Sequence, residues 1–155
     1  MKTENDSFVQ EQNTLTHIVT KHVSAMEPVL ADMERNDLKN KSLRYMVIDV
    51  RISLDEVKNS YFAEEDDLLQ AVKDLGVSVK AFANTIEGRI KRRGTEIKKS
   101  KYFLIRKCVL KIQQLELKKI ASKTEKLATI YKSLAGSIKE LKSADLNETE
   151  NQIDE

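Results

Sequence analysis

Apolar residues return every three or four positions along most of this chain, the period of a helix buried on one face. In the first stretch they fall at Phe8, Leu15, Ile18, Val19, Val23, Met26, Val29, Leu30 and Met33. Pro28 interrupts that stretch. It lacks a backbone donor and crowds the preceding turn, at a cost of about 3 kcal/mol in a helix interior. Ser24-Ala25-Met26-Glu27 has capping-box spacing, so a kink or fresh start is expected near Ser24. The run Glu34-Arg35-Asn36-Asp37 predicts a reversal, with Asp37 capping the helix that follows.

The second helix carries Leu43, Val47, Val50, Leu54, Val57 and Tyr61 in alternating steps of four and three, a heptad seam. Met46, Ile48 and Ile52 are expected to widen its buried stripe. Four acids, Glu64 to Asp67, suit the positive end of a third helix, whose seam is Leu68, Val72, Leu75, Val79, Phe82, Ile86 and Ile90. Next comes Arg92-Arg93-Gly94-Thr95-Glu96, in which cations, a glycine and a Thr cap follow the stop-and-start order of a helical hairpin. The rival reading keeps one helix running through, because Ile86, Ile90, Arg93 and Ile97 stay in phase. The punctuation favours the hairpin.

The last helix is the longest. Phe103, Leu104, Ile105, Cys108, Val109, Leu110, Ile112, Leu115 and Leu117 make its first half apolar around much of its circumference, which predicts the most buried part of the chain. Its second half narrows to a seam of Ile120, Thr124, Leu127, Tyr131, Leu134, Ile138 and Leu141. Helices are expected over about 8–33, 38–60, 64–93 and 96–143, forming one bundle domain at 8–143 between a flexible arm at 1–7 and a disordered acidic tail at 144–155. The fold class is all-α: an antiparallel three- or four-helix bundle with coiled-coil character. The last helix spans about 72 Å at 1.5 Å per residue. It is expected to overhang its shorter neighbours, leaving Leu127, Tyr131, Leu134, Ile138 and Leu141 to bind a partner helix or a second copy.

Composition supports this architecture. With 4 Gly and 1 Pro in 155 residues, the chain lacks the turn residues that a sandwich or barrel consumes. Charge adds a second feature. Residues 89–111 hold ten Lys or Arg and one acid, Glu96, so this segment is net +9 while the rest of the chain is net −7. Arg89, Lys91, Arg92, Arg93, Lys98, Lys99 and Lys101 are candidate anion-binding residues for membrane phospholipid or nucleic acid. Against that stand a merely solvated end, pairing with the chain's own acids at Glu64 to Asp67 or in the tail, and an acidic protein partner. Base stacking would need interleaved aromatics, and only Tyr102 and Phe103 are present.

Candidate chemistry is sparse. Cys108 is the one cysteine, which excludes an intramolecular disulfide, and its apolar surroundings suggest a buried small hydrophobe. His17 and His22 are five apart, off the i, i+3 or i, i+4 spacing of a helical metal pair. The Glu64 to Asp67 run lacks the alternation and central Gly of an EF-hand. No Gly-rich phosphate loop or nucleophile elbow occurs. The expectation is therefore a non-enzymatic interaction module without cofactor or metal. Met1 to Gln10 is polar, unlike a secretory leader, and no apolar run reaches membrane-spanning length, so a cytoplasmic location is expected.

Overall fold

The computed structural model describes residues 2–37, 39, 41–99 and 104–153, with side chains described between Thr14 and Ala144. It is an all-α bundle of four helices: α1 (Lys2–Asn36), α2 (Lys41–Asn59), α3 (Glu65–Lys99) and α4 (Leu104–Ile153). Each helix packs on two neighbours, in the closed order α1, α2, α3, α4 and back to α1. Neighbours run antiparallel. Ser53 meets Ser78 and Ser42 meets Arg89 between α2 and α3. His22 meets Ser133, and Asp32 meets Lys123, between α1 and α4.

The heptad seams fill the centre. Leu15, Val19, Val23, Met26, Leu30 and Met33 come from α1, and Leu43, Val47, Val50, Leu54 and Val57 from α2. Leu68, Val72, Leu75, Val79, Phe82 and Ile86 come from α3, and Leu117, Ile120, Leu127, Leu134 and Ile138 from α4. Thr124 is buried in the same α4 seam and satisfies its hydroxyl on the carbonyl of Ala121 at 2.9 Å. The α2 stripe is narrower than expected: Ile48 and Ile52 are 42 % and 52 % exposed, and only Met46 packs against the core.

Polar clamps hold the outside. Arg51 of α2 reaches Glu27 at 2.7 Å and also pairs with Glu34, both on α1, while Lys58 reaches Glu27 at 2.7 Å. Burial pushes the Glu27 carboxyl up, but the hydrogen bonds from Lys58 and Arg51 outweigh it and hold the group below the usual carboxylate range. Lys123 of α4 pairs with Asp32 at 2.9 Å and Asp37 at 2.7 Å. Asp37 is thus committed to α4 and does not cap α2, which begins at Lys41. At the other end the backbone carbonyl of Glu64 accepts from the Leu68 amide at 3.1 Å, and Glu65, Asp66 and Asp67 occupy the first turn of α3, where the helix dipole favours acids.

The helix boundaries differ from the sequence reading in three further ways. Pro28 lies inside one continuous α1. Both Pro28 and Ser24, whose carbonyl loses its donor there, face solvent, so water can replace the missing bond. The outer helix ends also run further than expected, from Lys2 in α1 and to Ile153 in α4; neither end segment contains Gly or Pro to stop a helix.

The third difference matters most. Gly94 is not a turn. It lies within α3 without a positive φ, and α3 continues to Lys99. Thr95, read as a cap, returns its hydroxyl to the Lys91 carbonyl at 3.1 Å, as helix-interior threonines do. The in-phase seam of Ile86, Ile90, Arg93 and Ile97 carries the helix past the punctuation, but not into one continuous rod. α4, from Leu104, packs antiparallel on α3, so the expected hairpin is present and only its placement at Gly94 is corrected. A Cβ at position 94 would meet the Gln114 side chain at 3.6 Å, an ordinary contact. Gly94→Ala should therefore raise unfolding stability by about 1 kcal/mol through helix propensity. A left-handed turn glycine would give a loss instead, so a chemical-denaturation curve separates the two.

α2 sets the length of the four-helix region. Its 19 residues span about 28 Å, against about 52 Å for the 35 residues of α3 and about 75 Å for the 50 of α4. Arg89 sits beside Ser42, near the start of α2, and the α1–α4 pairings bring the end of α1 level with about Lys119. Past that level α3 and α4 continue as a two-helix extension, formed by residues 90–99 and 104–117. Gly94 lies against Gln114 in that extension, in the same register as Gly76 against Tyr131 lower down.

Candidate functional site

The sequence expects one half of α4 to be buried and the other to overhang, and the structure exchanges the two. Leu127, Tyr131, Leu134, Ile138 and Leu141 are not an overhanging seam. Leu127 and Leu134 are at most 1 % exposed, Ile138 is buried, and Tyr131 and Leu141 pack against the core. They lie alongside α1 and α3, whose register covers them. The overhang is the other half of the helix. There Leu104 and Ile105 are 82 % and 84 % exposed, and Val109, Ile112 and Leu115 are 47–59 % exposed. Cys108 among them is also exposed. The half of α4 expected to be most buried is the least covered.

The reason is geometric. In the two-helix extension α4 has only α3 to pack on. Leu110 and Leu117, seven apart, take that contact and are buried. Ile105, Cys108, Ile112 and Leu115 follow one another in steps of three, four and three on roughly the opposite side of the helix, forming a second heptad stripe. α1 and α2 have ended before they could cover it. The stripe stops at Lys119, where the four-helix region begins.

Bases surround this end. Lys91, Arg92, Lys98 and Lys99 on α3, and Arg106 and Lys111 on α4, are exposed. Some of the predicted anion-binding set is engaged: Arg89 donates to Ser42 at 2.8 Å, Lys91 pairs with Glu87 at 3.4 Å, and Arg93 pairs with Glu96 at 3.0 Å. Lys101 lies outside the described residues. Among the described residues Glu64 to Asp67 do not neutralise this segment, because those acids stand at the opposite end of α3, about 33 Å from Arg89 and about 50 Å from Lys99 by helical rise.

Other features are less concentrated. A groove of about 320 Å³ between α2 and α3 is lined by Met46, Asp49, Ile52, Ser53, Val77 and Phe82. Its apolar rim is mixed with Asp49, and Ser53 and Ser78 hydrogen-bond across it at 2.8 Å. Phe62 is 98 % exposed in the α2–α3 connection. His22 places its ring between the Ile18 carbonyl at 2.7 Å and the Ser133 hydroxyl at 3.2 Å, and His17 is exposed. Among the described residues no group of three or more His, Cys, Asp or Glu is placed to hold a metal ion, and no helix is long and apolar enough to cross a membrane.

The stripe was missed in the sequence because apolar residues on two faces of one helix read as deep burial. A signal was present. The inner seam turns polar at Arg106 and Gln113, positions in heptad phase with Ile120, Leu127 and Leu134, as expected where no third helix packs. No family model matches this chain, and no curated protein and no solved structure matches it.

Proposed function

We propose that the protein is a non-enzymatic docking module whose binding end is the α3–α4 extension. The observation that supports this is the solvent-facing stripe Leu104, Ile105, Val109, Ile112 and Leu115 on a helix whose opposite face is already packed. Contiguous exposed apolar surface of this kind marks interaction sites, and heptad spacing suits a helical protein partner.

Cys108 gives the test a handle inside the stripe. A photo-crosslinker on Cys108, used in lysate of the native cell, should yield a discrete protein adduct. The adduct should vanish with Ile112→Asp plus Leu115→Asp. A crosslinker on Thr129→Cys in a Cys108→Ser background, on the exposed side of α4 within the four-helix region, should not give it. No adduct from Cys108, or the same products from both positions, would remove this reading.

The density of bases in residues 89–111 favours a second reading, contact with an anionic surface such as phospholipid or nucleic acid. That reading predicts binding to anionic vesicles or a DNA duplex that falls steeply with salt and is lost with Arg92→Glu plus Lys99→Glu.

A further inference from the structure

Resting on the docking reading, we propose that the α4 face from Leu104 to Leu115 seats an acidic amphipathic helix of a partner protein, which takes the place of the third helix that the extension lacks. The spacing fixes the form of the ligand. Ile105, Cys108, Ile112 and Leu115 make two heptads of a seam, wide enough for one helix lying along α4. A helix with apolar residues in the same rhythm fills it.

Charge fixes the sign. On one flank of the seam stand Lys111 and Lys118, one heptad apart and both exposed. The other flank has Val109 and Glu116. Flanking positions choose partners in helix pairs. Here they call for acids one heptad apart on the side that meets Lys111 and Lys118. The surrounding field points the same way, since residues 89–111 carry one acid, and that acid, Glu96, is paired with Arg93.

A second copy fits less well. It would bring two ends of net +9 together over a few apolar side chains per copy. A bilayer also fits less well. An interfacial helix presents its bases and its apolar face toward one plane. Here Lys91, Arg92, Lys98 and Lys99 belong to the outer side of α3, whereas the stripe lies on the side of α4 away from α3.

The test uses the full chain and a synthetic three-heptad helix with Leu and Ile at its core positions and Glu at its flanks. A twin carries Lys in place of Glu. By fluorescence anisotropy the Glu helix should bind at least about tenfold more tightly than the Lys twin. It should also slow alkylation of Cys108. Ile112→Asp should abolish binding while circular dichroism stays helical, and Lys111→Glu plus Lys118→Glu should shift the preference toward the Lys twin. Equal binding of the twins, or binding indifferent to Ile112→Asp, overturns the proposal. So does binding to phosphatidylserine vesicles with none to the Glu helix, which would transfer the site to a membrane. If the Glu helix fails while the Cys108 crosslink still captures a protein, only the acidic-helix assignment falls. If both fail, the docking reading falls with it.

Discussion

Replacing Leu134 by Asp should unfold this protein. Leu134 is 0 % exposed in the α4 seam, beside the equally buried Leu127. Removing a buried leucine alone costs about 2–5 kcal/mol. The aspartate also has no partner among the core residues packed there, and an unpaired carboxylate in an apolar core costs several kcal/mol more, or titrates to the neutral form at comparable expense. Total stabilities of domains this size are about 5–15 kcal/mol, so the combined loss removes most or all of it. The expected result is loss of the helical dichroism signal at room temperature, or a melting point lowered by well over 15 °C. The same substitution at Ile112, 58 % exposed, should leave the melting point within a few degrees. If Leu134→Asp kept a normal melting curve while Ile112→Asp collapsed the fold, the assignment of inner and outer faces on α4 would be reversed.

Phe82→Ala should be the next most damaging change. Phe82 is 1 % exposed and heads the fully buried side chains by volume. Truncating a buried phenylalanine costs about 3–5 kcal/mol, from lost transfer energy and from the cavity left behind. The α2–α3 groove abuts this side chain, so the void opens toward solvent and part of the cavity cost is relieved. The expected loss therefore sits near 3 kcal/mol, about 6–12 °C in melting temperature for a domain of this length. Phe62→Ala, at a side chain 98 % exposed, should change stability by less than about 0.5 kcal/mol. Urea titration of the two variants checks both numbers. Similar losses at the two positions would contradict the core described above.

What could be read in advance follows from what a periodic pattern encodes. The seams Leu43 to Val57 of α2 and Leu68 to Ile86 of α3 survive from sequence to structure, because steps of three and four specify both a helix and its buried side; Tyr61 falls beyond the end of α2, and both it and Ile90 are only partly buried. Helix ends are encoded less firmly. Arg93-Gly94-Thr95 satisfies the local rules for a stop, yet an uninterrupted Ile86, Ile90, Arg93, Ile97 seam packed on α4 carries the helix on to Lys99. Pro28 has the chemistry of a break, but its outward position makes the lost bond tolerable. The bare stripe on α4 was hidden for a different reason. Which face of α4 is covered depends on where α1 and α2 stop relative to α4. That relation lies in long-range pairings such as Lys123 with Asp32 and Asp37, which no local pattern displays. The concentration of bases in 89–111 was legible, whereas its separation from the Glu64 to Asp67 acids needed the helix lengths and their packing.

The most direct measurement is the alkylation rate of Cys108 in the native, purified chain, compared with a cysteine placed at Leu134 in a Cys108→Ser background. With the stripe bare and the inner seam covered, Cys108 should react at nearly the rate of a free thiol, while the cysteine at position 134 should react only through opening of the bundle, slower by about a thousandfold or more. A protected Cys108, or a cysteine at 134 that reacts as fast, would contradict the claim that this bundle buries its own seam and leaves the other face of α4 open to a partner.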